Sequence, residues 1–255
     1  MATNKHRSTL RVLSILKSLA GEINGFSLTE LSQILNAPKS SLFPILHTLL
    51  EEKFISFNKV TSKYTMGLNT YLLGSSYVHT HEILELILKE MNLIVDQCSE
   101  ICQLGILENN ETLYIAKVDS PEAIRLVSDV NKKLPAHSTS LGKALLCEKS
   151  LDELTALFPD GLKKLTEHTI TNLDDLYSEL LETRKTSLAY DIEETNLNIS
   201  CIAVPLRKFG KIVAAISVST PNFRYTPEKK EHIEKLLLSA KISLEQILEQ
   251  HEFLY

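Results

Sequence analysis

The chain has 255 residues, 44% of them hydrophobic, which is enough for one large domain or two ordinary domains with a substantial core. Residues 1–70 carry eight Lys/Arg against four Asp/Glu, a net charge of +4, whereas residues 71–255 carry nineteen against twenty-eight, a net charge of −9. No run approaches the roughly 18 apolar residues of a membrane span, and the first residues lack the apolar core of a secretion signal, so we expect a cytosolic protein with a basic, phosphate-contacting first domain.

A first helix is predicted before residue 21, because apolar side chains recur there at helical spacing. These side chains are Val12, Leu13, Leu16, Leu19 and Ala20. Two more helices are predicted over Leu28–Leu35 and Lys39–Leu50, separated by a turn that contains Pro38. Ser27 and Glu30 have the spacing of a capping box, with Ser27 at the N-cap of the second helix and Glu30 three residues later.

A short basic hairpin is predicted next, with strands over Lys53–Phe57 and Lys63–Gly67. Two helices joined by a tight turn and followed by a hairpin are the parts of a winged helix-turn-helix, so duplex DNA is the first partner to consider. The same stretch also fits a small helical subdomain with an ordinary hairpin. In the DNA-binding interpretation, the polar face of the third helix enters a major groove and the hairpin lysines contact phosphates. The predicted contacts are Lys39, Ser40, Ser41, Phe43, His47, Lys59 and Lys63.

From Leu68 to Cys98 the apolar pattern is again helical, with a predicted interruption near Gly74, which we interpret as a linker helix followed by the first helix of a second domain. The rest of the chain mixes strand-like and helical runs. Strands are predicted over Ile101–Leu107, Thr112–Val118, Ile199–Leu206 and Ile212–Ser219. Helices are predicted over Ser140–Cys147, Leu151–Phe158, Leu173–Thr186 and Pro227–Glu249. This pattern favours an α+β domain on a largely antiparallel sheet.

The cysteines are expected to be reduced thiols that pack in the core. They are Cys98, Cys102, Cys147 and Cys201. Cys98 and Cys102 have three residues between them, but no neighbouring Cys or His pair completes a zinc set. The sequence therefore predicts neither a metal nor a cofactor.

Several short segments follow one another in a specific order along the chain. In the first seventy residues they are Leu28–Ser32, Pro38–Ser41 and Tyr64–Gly67. The more specific ones come later and are Pro135–Ala144, Thr169–Ile170, Asp191–Glu194, Cys201–Pro205 and Ala214–Ser219. Together they resemble the IclR family of bacterial transcription regulators over nearly the whole chain. The resemblance implies a winged helix-turn-helix DNA-binding domain in residues 1–67, a linker helix in residues 68–80 and a GAF-like effector-binding domain in residues 81–255.

The resemblance also implies a function. It is that of a DNA-binding regulator without enzymatic activity, a repressor, which forms dimers or tetramers and whose operator binding is controlled by a small organic acid such as a keto acid or sugar acid. The positions that match the family's ligand contacts are Leu126, Ser140, Leu141, Asp191, Cys201, Ser217 and Ser219. In these terms Leu126 is an apolar wall, and free N–H groups at the start of the helix at Ser140 hold a carboxylate.

Strand alternation supports part of this set, because it places Val213, Ala215, Ser217 and Ser219 on one face of a strand. Without the family resemblance, the two serines fit solvent exposure on a half-buried sheet better than they fit ligand binding. Three further predictions concern single side chains. Cys201 also fits a small core residue, and His137 fits a structural residue that is held by a hydrogen bond. Lys143 is expected to pair with a carboxylate.

The chain departs from the family pattern at four positions. Pro44 stands where the family's recognition helix usually has Arg, and it removes the backbone donor that would reach the carbonyl of Ser40. Lys53, Ser187 and Asn198 stand where the family often has Gly, so we expect those turns to differ in shape.

Two other functions fit parts of the sequence. Ser140 and Lys143 match the S-x-x-K pattern of penicillin-recognising acyl enzymes, but the chain has no S-D-N element and little room for that fold beside the N-terminal module. A small-ligand-binding module without DNA activity is the second hypothesis. Binding of duplex DNA separates it from a regulator.

Overall fold

The computed structural model describes residues 6–80 and 82–251, with the backbone alone at residues 75–80 and 82. The chain divides into two compact units, residues 1–82 and 83–255. In the N-terminal unit the structure has helices α1 (Arg7–Ala20), α2 (Leu28–Ile34), α3 (Lys39–Glu51) and α4 (Leu68–Thr80), and the antiparallel strands β1 (Ile55–Asn58) and β2 (Lys63–Met66). This is a winged helix-turn-helix, which confirms the fold predicted for this part of the chain.

The N-terminal unit is held by one apolar core under the helix-turn-helix. The buried side chains come from α1, α2, α3 and β1: Ile15, Leu19, Leu31, Leu42, Leu46, Leu49 and Ile55. The capping box is present, because the Ser27 hydroxyl accepts from the Glu30 N–H and the Glu30 carboxylate accepts from the Ser27 N–H at 2.7 Å. It fixes where α2 begins and therefore how it meets α3.

The prediction of an interruption near Gly74 is wrong. The helix α4 runs through Gly74 to Thr80, and a Cβ at Gly74 would meet nothing within 4 Å. A single glycine costs a helix only about 1 kcal/mol, which the rest of the helix tolerates.

The C-terminal unit is an α+β fold on an antiparallel sheet, as predicted. Its helices are α5 (Glu82–Cys98), α6 (Ser140–Leu146), α7 (Leu151–Leu157), α8 (Leu173–Thr186) and α9 (Pro227–Gln250). Its strands are β3 (Ile101–Glu108), β4 (Glu111–Val118), β5 (Lys133–Pro135), β6 (Ala189–Ile192), β7 (Ile199–Lys208) and β8 (Lys211–Pro221). In the described chain they pair in the order β5-β4-β3-β8-β7-β6, with every pair antiparallel.

The two faces of this sheet carry different layers. One face packs on α5 and α9 through a large apolar cluster that includes Met91, Leu104, Val204, Ile216 and Leu237. The other face packs on α6 through a smaller cluster with Tyr114, Leu141, Ala203 and Ala215. The polar cavity described below lies on this second face, beside α6.

Strand alternation predicts the wrong face of the sheet for one side chain of β8. Val213 was predicted to share a face with Ala215, but it packs against the cluster on the opposite face. The register between β7 and β8 shifts between Leu206 and Arg207, so that Leu206 pairs with Ala214 and Arg207 with Ile212. This bulge inserts one residue, and the alternation changes face at that point. The short strands β5 and β6, which the sequence analysis did not predict, extend the sheet at its two edges.

The turns that lack the family's glycine keep a left-handed backbone. The φ angles are +56° at Lys53, +61° at Ser187 and +63° at Asn198. Residues other than glycine adopt this backbone conformation at a cost of about 1 kcal/mol or more. The three turns therefore carry backbone strain.

Replacing Ser187 with Gly should stabilise the protein. Ser187 is the left-handed residue that ends α8, and its N–H donates to the carbonyl of Thr183 at 2.8 Å. Glycine removes the strain there but loses more backbone entropy on folding, so we expect a net gain of about 0.5–1 kcal/mol in the free energy of unfolding. Urea unfolding followed by circular dichroism measures it. The control Ser178→Gly, on the exposed side of α8, should lose about the same amount; a loss at both positions would contradict the strain.

Candidate functional site

The exposed face of α3 carries the side chains predicted to meet DNA. Leu42, Leu46 and Leu49 are buried under this helix, and the opposite face is open. On that open face Lys39, Ser40, Pro44 and His47 are exposed, Phe43 is 54% exposed and Ser41 is half-buried. The face is therefore free to enter a major groove, whose width admits one helix.

Pro44 does not end the helix, since α3 continues to Glu51. The carbonyl of Pro44 accepts from the Thr48 hydroxyl at 3.1 Å. Next to Pro44, the rings of Phe43 and His47 lie with their centroids 6.4 Å apart, and His47 Nδ1 is 3.4 Å from the carboxylate of Glu51. These contacts hold an aromatic pair on the surface of the helix.

The two hairpin lysines differ in their surroundings. Lys59 lies exposed in the turn between β1 and β2, where the side chain of Asn58 caps the N–H groups of Val60 and Thr61. Lys63 Nζ lies 3.9 Å from the Glu30 carboxylate, and its side chain is 32% exposed. Because Glu30 partly neutralises Lys63, Lys59 in the turn carries the freer positive charge of the two.

A polar cavity lies in the C-terminal unit, between α6 and one face of the sheet. It encloses about 480 Å³, with the open space at its mouth included, and its interior is narrow. Six of the seven residues predicted as ligand contacts line it: Leu126, Ser140, Asp191, Cys201, Ser217 and Ser219. Strand pairing brings three of them together, since Cys201 pairs with Ser219 and Ser217 lies two residues away on β8.

Leu141, the seventh predicted contact, does not line the cavity. Its side chain is 1% exposed and packs in the apolar cluster with Tyr114 and Ala203. One residue along a helix turns the side chain by about 100°, so when Ser140 faces the cavity Leu141 faces the sheet.

The start of α6 is more occupied than the sequence suggested. Thr139 is the N-cap, and its hydroxyl accepts from the N–H of Gly142 at 2.9 Å. A Cβ at Gly142 would lie 2.0 Å from the carbonyl oxygen of Ala136, so only glycine fits there. This close approach sets α6 against residues 135–139 and aims Ser140 into the cavity.

Tyr114, Ser140 and Ser217 bring three hydroxyls to the cavity lining, and all three residues are buried. Burial raises the pKa of the Tyr114 phenol, so the group stays a donor at neutral pH. Hydroxyls on the wall of a cavity can donate hydrogen bonds to an occupant and accept them from it, so they favour a polar occupant.

Asp191 supplies the acceptor of the cavity. The side chain is 3% exposed, and its Oδ1 accepts from the N–H groups of Glu194 at 2.8 Å and Thr195 at 3.3 Å. Burial raises the pKa of Asp191, while hydrogen bonds from these N–H groups and from the Thr195 side chain oppose the increase. On the neighbouring strand, burial raises the pKa of the Cys201 thiol, which is therefore protonated.

Behind Asp191 lies a buried ion-pair cluster that does not line the cavity. The ammonium of Lys143 is fully buried and bonds the carboxylates of Glu194 and, at 2.9 Å, Glu179. The predicted carboxylate partner of Lys143 is thus confirmed. Burial raises the pKa of Glu194 to about 7, although the charge of Lys143 opposes the increase. The Thr169 hydroxyl donates to the Glu194 carbonyl at 2.6 Å and helps to hold this turn.

His137 is a structural residue, as predicted. It is 1% exposed, its Nε2 donates to the carbonyl of Lys163 at 2.9 Å, and its ring meets Phe158 edge-on. Burial lowers the pKa of His137, so the ring is neutral. The cysteines are buried and free, as expected of packing residues.

Several cavity residues were missed by the sequence analysis. They are Gln103, Tyr114, Val127, Ser128, Lys132, Leu134, Thr139, Thr195, Asn196 and Ile199. For Gln103 a signal existed, because it is a polar residue inside the otherwise apolar strand Ile101–Leu107. The others depend on long-range pairing or on loop placement, which the local pattern does not contain.

The described residues contain neither a metal-binding cluster nor a membrane-spanning helix. No group of His, Cys, Asp and Glu there is arranged to hold a metal ion. No helix of that part of the chain has both the length and the apolar character needed to cross a membrane.

Comparisons with known proteins agree with this architecture. The sequence matches the family described as "Bacterial transcriptional regulator IclR C-terminal" over residues 75–244 and the "IclR helix-turn-helix domain" over residues 8–59. The HTH-type transcriptional regulator KdgR of Escherichia coli K12 is 29% identical over 249 residues, 96% of this chain and 94% of that protein. The transcriptional repressor IclR of the same strain is 26% identical over 243 residues, 94% of this chain and 89% of the repressor.

A solved structure shows the same fold. It is the crystal structure of an IclR homologue from Microbacterium hydrocarbonoxydans complexed with 4-hydroxybenzoate. The two chains share 20% sequence identity and a TM-score of 0.82, with 95% of this chain and 99% of that chain covered.

Proposed function

Because this chain belongs to the IclR family of bacterial transcriptional regulators, we propose that it is a repressor whose operator binding is controlled by a small organic acid. The N-terminal unit binds duplex DNA, and the cavity of the C-terminal unit binds the acid. The observation that carries the proposal is the convergence of Ser140, Asp191, Cys201, Ser217 and Ser219 on one cavity. A relative that is itself a repressor supports the assignment of this chain as a repressor.

The DNA interface consists of the open face of α3 and the tip of the hairpin. Ser40, Phe43 and His47 meet base edges, because they lie on the face turned away from the core. Lys39 and Lys59 contact phosphates, with Ser41 and Lys63 in support. Helix-turn-helix proteins commonly read palindromic sites as dimers, so the active form is a homodimer or tetramer. Sedimentation that finds only a 28.7 kDa monomer would contradict this.

The effector is a compact, oxygen-rich acid such as a keto acid or sugar acid. The hydroxyls of Tyr114, Ser140 and Ser217 and the start of α6 donate to its carboxylate. Asp191 is an acceptor, so it repels the carboxylate and favours a hydroxyl of the ligand. The homologue that binds 4-hydroxybenzoate takes a ligand with both groups, a carboxylate and a hydroxyl.

Replacing Ser219 with Ala should weaken acid binding. The change removes one or two hydrogen bonds to the ligand, which lowers the binding free energy by roughly 0.5–3 kcal/mol, depending on whether the lost partner is charged. Calorimetry with a panel of keto acids, sugar acids and hydroxybenzoates measures it on the wild type and the variant. Ser178→Ala, on the exposed side of α8, is the matched control and should bind as the wild type does. Equal affinity of the Ser219 variant for a confirmed effector would place the site elsewhere.

The alternative is a ligand-binding module without DNA activity. The open face of α3 argues against it, since a solvated structural helix gains nothing from an exposed pair such as Phe43 and His47. Gel-shift assays with DNA from upstream of its own gene separate the two functions. If the protein binds none of the duplexes even at low salt, the result favours the alternative.

A further inference from the structure

Residues 119–132 connect β4 to β5 without regular secondary structure and cover the cavity. We call this segment the lid. It contributes Leu126, Val127, Ser128 and Lys132 to the cavity lining. A connection of this length inside a compact unit is unusual, and such segments often serve as lids or binding loops.

The lid is held by polar contacts more than by apolar burial. At its ends, the Ser120 hydroxyl donates to the carbonyl of Ser99 at 2.5 Å, and the Asn131 N–H donates to the carbonyl of Tyr114 at 2.7 Å. Its apolar side chains point largely outward, since Ile124 is 67% and Val127 74% exposed. A segment with little apolar burial opens at a low free-energy cost, so its polar tethers decide how often it is open.

Three tethers hold the middle of the lid. Arg224 donates to the carbonyl of Ile124 at 2.8 Å, and Lys117 Nζ donates to the carbonyl of Ser128 at 2.7 Å. The third reaches the lid from inside the cavity, because Gln103 Nε2 donates to the Ser128 hydroxyl at 2.7 Å. Arg224 and Lys117 hold the lid from outside the cavity lining, whereas Gln103 is part of that lining.

Gln103 bonds the cavity wall with its other amide atom. Its Oε1 accepts from the Ser219 hydroxyl at 3.0 Å, and the side chain is 2% exposed. Ser219 therefore fixes the orientation of the amide, and the amide in turn holds Ser128 of the lid. The three side chains form one buried hydrogen-bonded chain from the wall to the lid.

We propose that Gln103 is the latch of the lid, a positioning residue that holds residues 119–132 closed over the cavity and is itself oriented by Ser219. This inference rests on one part of the proposed function, namely that the cavity is an effector site. If a ligand accepts the hydrogen bond of the Ser219 hydroxyl, Gln103 Oε1 loses its donor. A ligand hydroxyl that donates to Gln103 Oε1 replaces that donor. The latch thus makes lid closure depend on what occupies the cavity.

Trypsin measures the latch without any ligand. Arg125 is exposed in the lid, and the rate of cleavage after it reports the open fraction when reclosing is fast. Gln103→Leu and Ser128→Ala should each speed this cleavage about fivefold, the factor that one lost hydrogen bond gives. The control Gln97→Leu removes an exposed amide that bonds only within α5 and should leave the rate unchanged. Cleavage after Lys241, in α9, monitors global unfolding in every variant.

The double variant Gln103→Leu/Ser128→Ala shows whether the two side chains act through one shared hydrogen bond or independently. Because Gln103 and Ser128 make one bond, the double variant should be cleaved no faster than either single variant. Ser219→Ala should also accelerate cleavage, by less than Gln103→Leu. A wild-type rate for Gln103→Leu, or rates that multiply in the double variant, would overturn the latch. Acid binding is measured separately by calorimetry, so the latch and the effector proposal fail independently.

Discussion

Replacing Lys143 with Met should lower the free energy of unfolding of the C-terminal unit by about 3–5 kcal/mol. Lys143 is fully buried and is the cation between Glu179 and Glu194, and Glu194 is only 8% exposed. Methionine fills a similar volume but leaves two carboxylates facing each other without a positive charge. Urea unfolding of the full chain measures the loss. Lys185→Met, which breaks an exposed pair with Glu182, is the control and should cost less than about 0.5 kcal/mol.

The loss should depend on pH with a definite sign. The folded-state pKa of Glu194 is raised to about 7, above its unfolded value of 4.5. Protonated Glu194 therefore favours the folded state, a contribution that is complete below pH 4.5 and is lost as the pH rises through 7. Without Lys143 the pKa rises further, so the deficit of the variant should be larger at pH 8 than at pH 5. A deficit that is small, or equal at both pH values, would contradict the buried ion-pair account.

Changes on the open face of α3 should alter which DNA is bound, and changes at the hairpin tip should alter how strongly any DNA is bound. His47→Ala should change the preference at one base pair by about 1–3 kcal/mol, a factor of roughly 5 to 150. Lys59→Ala should weaken all duplexes alike and reduce the salt slope by about 0.9. Selection from a randomised duplex library, followed by salt titration of the selected site, measures both effects.

The controls for this experiment come from the same chain. Lys63→Ala should have a smaller effect than Lys59→Ala, because Glu30 lies 3.9 Å from the Lys63 ammonium. Lys235→Ala removes an exposed charge from α9, which carries no DNA contact in this account, and should leave the salt slope as it is. An unchanged sequence preference in His47→Ala together with unchanged binding in Lys59→Ala would contradict the placement of α3 and the hairpin on DNA.

Much of the fold follows from local signals in the sequence. The capping box at Ser27 and Glu30 marks the start of α2, and long periodic runs such as α8 were predicted with their observed bounds. The errors arise where local rules compete with tertiary structure. Gly74 does not stop α4, and the bulge between β7 and β8 puts Val213 on the face that alternation excludes. Short edge strands such as β6 gain their stability from pairing, which a single-strand pattern does not reveal.

The candidate site was only partly visible in the sequence. Ser217 and Ser219 followed from alternation together with the family resemblance, and the structure places both in the cavity. Leu141 was predicted together with Ser140, but neighbouring side chains of a helix point in different directions, and Leu141 packs in the apolar cluster. The lid residues and Gln103 were missed, because a loop that folds back over a sheet leaves no periodic pattern.

The central claim is that an acid in the cavity of the C-terminal unit controls DNA binding by the N-terminal unit. The most direct test measures the dissociation constant for the selected operator with and without a saturating acid identified by calorimetry. The account predicts that the acid weakens operator binding by roughly 5- to 150-fold and that bound operator weakens acid binding by the same factor, because the coupling is reciprocal. An operator dissociation constant that does not change when the acid is bound would contradict it.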